Sequence, residues 1–115
     1  LLLKDLCARL PYGVICEDGY GNVLELNGID KPNTITFKCS NNTFWTTDLD
    51  KCKPYLFPFS SMTKRQKKEL LAILEDESDD GFEYKVVDFY NKNHFDYRDL
   101  IPKGLAIDAT GLNIY

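Results

Sequence analysis

The sequence predicts an α+β fold: a small antiparallel β unit over residues 11–58, either an SH3-like barrel or a curled meander, packed against two to three C-terminal helices. Three observations carry this. From Tyr12 to Phe57, short apolar runs alternate with turn residues, with a turn signal roughly every 8 to 10 residues. From Ser60 onward, apolar residues recur at helical spacing instead. Between the two lies Lys53-Pro54-Tyr55-Leu56-Phe57-Pro58-Phe59-Ser60-Ser61-Met62-Thr63, which is apolar and stiffened by the fixed φ of Pro54 and Pro58. A free linker would be polar and rich in Gly and Ser. This stretch therefore reads as a buried seam, with Tyr55, Phe57, Pro58, Phe59 and Met62 as its structural residues.

The elements follow in order. Leu2, Leu3, Leu6 and Leu10 space a short amphipathic helix over residues 1–10, which Pro11 ends. Tyr12–Glu17 reads as a strand, Asp18-Gly19-Tyr20-Gly21-Asn22 as a hairpin loop, and Val23–Leu26 as the returning strand. Asn27-Gly28 breaks or bulges it. After the turn Lys31-Pro32-Asn33, period-two alternation over Thr34–Cys39 puts Ile35, Phe37 and Cys39 on one face. Ser40-Asn41-Asn42 turns the chain again, into a strand at Phe44–Thr47. Tyr55–Phe57 is a candidate fifth strand.

Thr63 is a good N-cap with Gln66 at N3, so a helix begins there with Leu70, Leu71, Ile73 and Leu74 as its apolar face. Phe82, Val86, Phe89, Tyr90 and Asn93 mark a second helix reaching about His94. Asp96 is placed to cap a short third helix over Tyr97–Ile101, stopped by Pro102 and Gly104. Arg98 is expected to pair with a carboxylate. Residues 105–115 are too apolar to hang free and are expected to dock. With 115 residues, the length suits one domain with a single modest core, its helical unit over residues 59–104.

Composition narrows the function. The net charge of −4 disfavours nucleic acid and anionic membranes as partners of the whole molecule. No apolar run is long enough to span a bilayer. The start at Leu1 lacks the features of a secretory signal and reads as trimmed, so the expected address is cytoplasmic. Cys7, Cys16, Cys39 and Cys52 are then expected as reduced thiols, with Cys16 and Cys39 in apolar strand patterns.

Few constellations carry chemistry. Lys64, Arg65, Lys67 and Lys68 crowd the start of the first long helix and Glu75, Asp76 and Glu77 its end, against the helix dipole at both ends. A solvated, salt-screened face explains this, as does an anion or nucleic-acid patch. Asp76, Ser78, Asp80 and Gly81 fit the start of a calcium loop, but position 12 falls on Val87, where a bidentate Glu is needed. No C-x₂-C pair supports zinc, and no metal or other cofactor is expected. His94 lacks a nucleophile elbow or an oxyanion loop and reads as structural. Among the aromatics, Tyr20 at a loop tip and Trp45, opposite in parity to Phe44, are the expected exposed pair for a peptide groove.

Three stretches together carry a resemblance: Asp5-Leu6-Cys7-Ala8-Arg9-Leu10-Pro11-Tyr12-Gly13-Val14, the seam Lys53–Thr63, and His94-Phe95-Asp96-Tyr97-Arg98-Asp99-Leu100-Ile101-Pro102-Lys103-Gly104-Leu105-Ala106. They resemble a large family of small proteins of unassigned function from gut Bacteroides and their phages and mobile elements. The resemblance implies a bacterial or phage-infected cytoplasm, and it brings no activity, cofactor or catalytic residue. In that family the residues after the Thr63 position are usually acidic; here they are Lys64 and Arg65.

The function expected is a non-enzymatic protein-binding or adaptor module meeting an unidentified protein partner. The alternative is a nucleic-acid-binding accessory protein using Lys64–Lys68. A third class is a small enzyme using His94.

Overall fold

The computed structural model describes residues 2–30, 34–39, 43–75 and 82–115, with Phe82 by its backbone alone. The turns expected at residues 31–33 and 40–42, and the calcium-loop reading that starts at residue 76, lie outside the described residues.

The chain opens with helix α1 (Leu2–Arg9) and a 3₁₀ turn at Leu10–Tyr12. Strands β1 (Ile15–Glu17), β2 (Val23–Asp30), β3 (Thr34–Lys38) and β4 (Phe44–Asp48) follow, then β5 (Lys53–Leu56). Helices α2 (Lys64–Glu75) and α3 (Phe82–Lys92) come next, and a short strand β6 (Ile107–Asp108) lies near the end. The sheet order is β4-β3-β2-β1-β5-β6, antiparallel throughout except for β6, which runs parallel to β5. The result is a curled half-barrel with β4 and β6 at its two edges. Of the two expected forms, it is the curled meander.

Local chemistry explains the bounds. Pro11 turns the end of α1 into 3₁₀ backbone, and Gly13 closes that turn at φ 74°. A side chain at Gly13 would meet the Glu25 carboxylate at 2.8 Å, so β1 starts only after it. Asn27-Gly28 bulges the second strand without ending it: the register shifts between Leu26 and Gly28, and pairing resumes through Ile29↔Ile35. In β3, Ile35 and Phe37 are buried as the alternation requires. Cys39 falls just past the strand and is half-buried, whereas Cys16 and Cys52 enter the core. All four thiols are free.

The seam does its joining largely through backbone. The Phe57 amide donates to the His94 carbonyl, and the Asp96 amide donates to the Phe57 carbonyl, each at 2.8 Å. Tyr55 and Leu56 are buried, and Phe57, Pro58 and Met62 are half-buried. Phe59 departs from the expected interior: it is 45% exposed, with one side of its ring against Tyr90 and Phe95 at centroid distances of 5.1 and 6.0 Å.

A second joint is ionic. Asp5 and Arg9 on α1 are both fully buried, with Arg9 Nε donating to Asp5 Oδ2 at 2.7 Å. Arg98 Nη1 reaches the other oxygen of Asp5 at 2.9 Å. Arg9 Nη2 donates to the Phe95 carbonyl at 2.5 Å. Tyr97 lies against both guanidinium groups, 5.2 Å from Arg9 and 4.6 Å from Arg98.

Helix α2 starts as expected. The Gln66 amide donates to Thr63 Oγ1 at 3.2 Å, and the Thr63 amide donates to Gln66 Oε1 at 2.8 Å, which is a full capping box. Its expected apolar face is only partly used. Gln66, Leu70 and Ile73 are half-buried, while Leu71 and Leu74 remain 53% and 46% exposed. Each residue advances the helix by roughly 100°, so Leu71 and Leu74 turn off the stripe formed by the other three.

The expected third helix is absent: Tyr97–Ile101 forms turns, with Asp99 left-handed at φ 57°. Asp96 does cap this segment, but through later amides. Its carboxylate accepts from Leu100 and Ile101 at 2.8 and 2.9 Å, closing a loop where a helix would bond its N2 and N3 amides.

Near the end of the chain, β6 extends the sheet beside β5, and Ala106 and Ala109 are buried. The Tyr115 hydroxyl accepts from the Ile15 amide at 2.9 Å and donates to the Tyr55 carbonyl at 2.8 Å. Leu112 stays 50% exposed.

Candidate functional site

The site is built from a hairpin loop and an edge strand. The loop between β1 and β2 turns around the buried carboxylate of Asp18. That carboxylate accepts from the Tyr20 amide at 2.8 Å, the Asn22 amide at 3.1 Å and the Asn22 side-chain amide at 2.8 Å. Burial by itself would raise the Asp18 pKa. The bonds from Asn22 and from the loop amides outweigh it and hold the carboxyl below its ordinary value.

Gly19 sits at φ 88°, and a side chain there would lie 2.9 Å from the Lys51 carbonyl oxygen. Only glycine allows that conformation and that approach. Thr47 Oγ1 on β4 donates to the Asp18 carbonyl at 3.3 Å. The loop is thereby fixed to both β4 and the Leu49–Lys51 turn.

This fixed loop presents Tyr20, which is 60% exposed, to Trp45 on β4, which is 43% exposed. The rings meet edge to face at 6.2 Å and 88°. Lys51 Nζ donates to the Tyr20 hydroxyl at 2.9 Å and lies 5.3 Å from the ring centre. Around them opens a cavity of about 480 Å³, lined also by Thr34, Thr46, Thr47 and Asp48, in the size range of ligand pockets. Trp45 stands opposite Phe37 in the ladder, so it shares the core-side face and is open because its strand is at the edge. The two rings do take opposite faces, but the other way round from the parity expectation: Phe44 points outward and is the more exposed of the two at 60%, and Trp45 reaches solvent only because its strand lies at the edge.

The two aromatic residues singled out in the sequence are thus in contact. Lys64, Arg65, Lys67 and Lys68 are a separate feature, all exposed on α2, with Arg65 Nε 3.6 Å from Glu69. Lys51, Asp18 and Thr47 were missed by sequence reasoning. The Asp-Gly-x-Gly-Asn pattern signals an Asp-centred turn, but nothing local signals Lys51.

His94 closes α3. It sits at C′ with φ 62°; its amide bonds the Asn91 carbonyl at 3.2 Å, and the Phe95 amide bonds the Tyr90 carbonyl at 2.9 Å. This is a Schellman closure with histidine where glycine is usual. The imidazole stacks on Tyr115 at 3.7 Å and 11°, and its buried Nδ1 has no partner among the described residues. Its backbone, not its ring, serves the helix end.

Burial, and then the charge of Arg9, lower the His94 pKa to about 4. Below about pH 6.5 the unfolded chain binds a proton that the folded chain refuses. Stability is therefore expected to fall as pH drops from about 6.5 to about 4, by ~1–2 kcal/mol after allowance for partial solvent screening. Denaturant titrations at stepped pH check this. His94→Asn, which tolerates left-handed backbone, should flatten that part of the profile.

Among the described residues, no group of three or more His, Cys, Asp or Glu is placed to hold a metal ion. No described helix is long and apolar enough to cross a membrane. No family model, curated protein or solved structure matches the chain.

Proposed function

We propose that the chain is a non-enzymatic protein-binding or adaptor module whose Tyr20–Trp45 pocket takes an extended peptide segment of a partner. The observation that carries this is a pair of exposed rings, held rigid by the Asp18 loop, over a cavity beside an edge strand. Rigid aromatics bind with little loss of conformational freedom. Among the described residues β4 pairs with β3 alone, so its outer backbone can add a peptide strand while an apolar side chain enters the cavity beside the two rings. On this reading the setting is the bacterial or phage-infected cytoplasm that the sequence resemblance implies.

Trp45 is the sole tryptophan, which makes it a reporter. Linear peptides selected from a random library should shift its fluorescence. Tyr20→Ala and Trp45→Ala should each weaken the selected peptide by roughly 30-fold or more, as central aromatic anchors do, when read by calorimetry. Neither should alter the melting temperature much, since both rings are exposed. Peptides that bind both variants as well as wild type would overturn the reading.

The second reading is nucleic-acid binding through Lys64, Arg65, Lys67 and Lys68. It is favoured by four exposed cations with no acid in the first turn of α2. Such a complex should weaken steeply with salt. The absence of any salt-dependent binding to single- or double-stranded oligonucleotides would remove it.

A further inference from the structure

Helix α2 has no buried residue. Gln66, Leu70 and Ile73 are the residues it half-buries, and a different stripe is left open. On that open stripe Lys64, Lys67, Leu71 and Leu74 follow one another at spacings of three, four and three, the seam pattern of paired helices. Leu71 and Leu74 are 53% and 46% exposed.

The charges identify what fits there. Cations fill the N-terminal half of α2, and Glu75 stands at its C-terminal end. On a lone helix both ends oppose the dipole. A second copy of the same helix running antiparallel reverses both penalties. It brings acid to the basic end and base to the acidic end, and it sets the two dipoles head to tail. A parallel copy would bring the cations together instead. The stripe is self-complementary, which is what a two-fold interface requires.

We propose that α2 is the seam of an antiparallel two-fold homodimer, with Leu71 packed at the axis and Lys67 facing the partner's Glu75. In this register the aliphatic stem of Lys68 covers the partner's Leu74, with its ammonium group in water. The interface spans little more than two helical turns and is smaller than a standard interface, so the dimer is weak and concentration-dependent. It uses Lys67 and Lys68, for which the nucleic-acid reading also competes. It is independent of the Tyr20–Trp45 pocket, which can succeed or fail without it.

The test is sedimentation of the purified chain over a concentration series. Wild type should show a reversible monomer–dimer equilibrium, and Leu71→Glu should be monomeric with unchanged circular dichroism, since Leu71 is half exposed. Lys67→Glu and Glu75→Lys should each weaken self-association by on the order of tenfold, because each creates two like-charge contacts. Mixing these two variants in equal amounts should restore association, since every facing pair is then of opposite sign. Three results would overturn the dimer: wild type monomeric at every concentration, association that survives Leu71→Glu, or a mixture no tighter than either variant alone. A different protein on this stripe would appear as the first of these.

Discussion

Asp5→Ala is expected to remove ~3–5 kcal/mol of stability, the usual result of leaving a buried charge without its partner. Asp5 is the only carboxylate shown bonded to the Arg9 guanidinium among the described residues, and both side chains are wholly buried. The remaining contacts of Arg9 do not neutralise it. Nη2 bonds a carbonyl, the ring of Tyr97 lies 5.2 Å away, and Nη1 has no partner among the described residues. Arg98 would lose its acid as well. Total stability for a domain of this size is about 5–15 kcal/mol, so the variant should be largely unfolded in mild denaturant.

Companion variants assign the loss to charge and not to packing. Asp5→Asn keeps the shape and should lose less. Arg98→Ala should lose about 1 kcal/mol, because that side chain is 16% exposed and water can replace it. Asp5→Ala combined with Arg9→Met should recover part of the loss, since the orphaned cation is gone. Guanidinium unfolding followed by circular dichroism measures all four. A loss below about 1 kcal/mol for Asp5→Ala would mean that the triad does not hold α1 to the Phe95–Arg98 segment.

The joint was half legible in the sequence. Asp5 and Arg9 stand four apart in a helical pattern, which is an ordinary ion-pair spacing; nothing local says that the pair is buried. Arg98 was read as the partner of some carboxylate, but the identity of that carboxylate depends on how the chain ends meet. Local chemistry was readable wherever the deciding partners are close in sequence. Thr63 and Gln66 make their box, Gly28 bulges its strand, and Ile35 and Phe37 point inward.

Long-range register was not readable. Strand β6 has two residues and exists because β5 offers it an edge. The helix expected after Asp96 gave way because that carboxylate reaches Leu100 and Ile101 and because Asp99 takes a left-handed conformation. At the candidate site, loop position and parity singled out Tyr20 and Trp45. Their contact, and the arrival of Lys51 over Tyr20, required the ladder register and the turn after β4.

Phe95→Ala is the second large effect, expected at ~3–5 kcal/mol. Phe95 is 1% exposed and follows the left-handed residue that closes α3. Its ring stacks on Phe89 at 6.1 Å and meets Phe59 at 6.0 Å, so truncation opens a cavity between α3 and the seam. Phe59→Ala should lose much less, since that ring is 45% exposed. The informative variant is the double one. Arg9 reaches the Phe95 carbonyl, not its ring, so Phe95→Ala leaves the ion triad its atoms but loosens the backbone that positions them. If one cooperative core contains both sheet and helices, Asp5→Ala and Phe95→Ala damage the same joint and their effects must fall short of additive. Full additivity, or two separate unfolding transitions in Phe95→Ala alone, would mean that the β unit and the helices are stabilised independently and that the seam only tethers them.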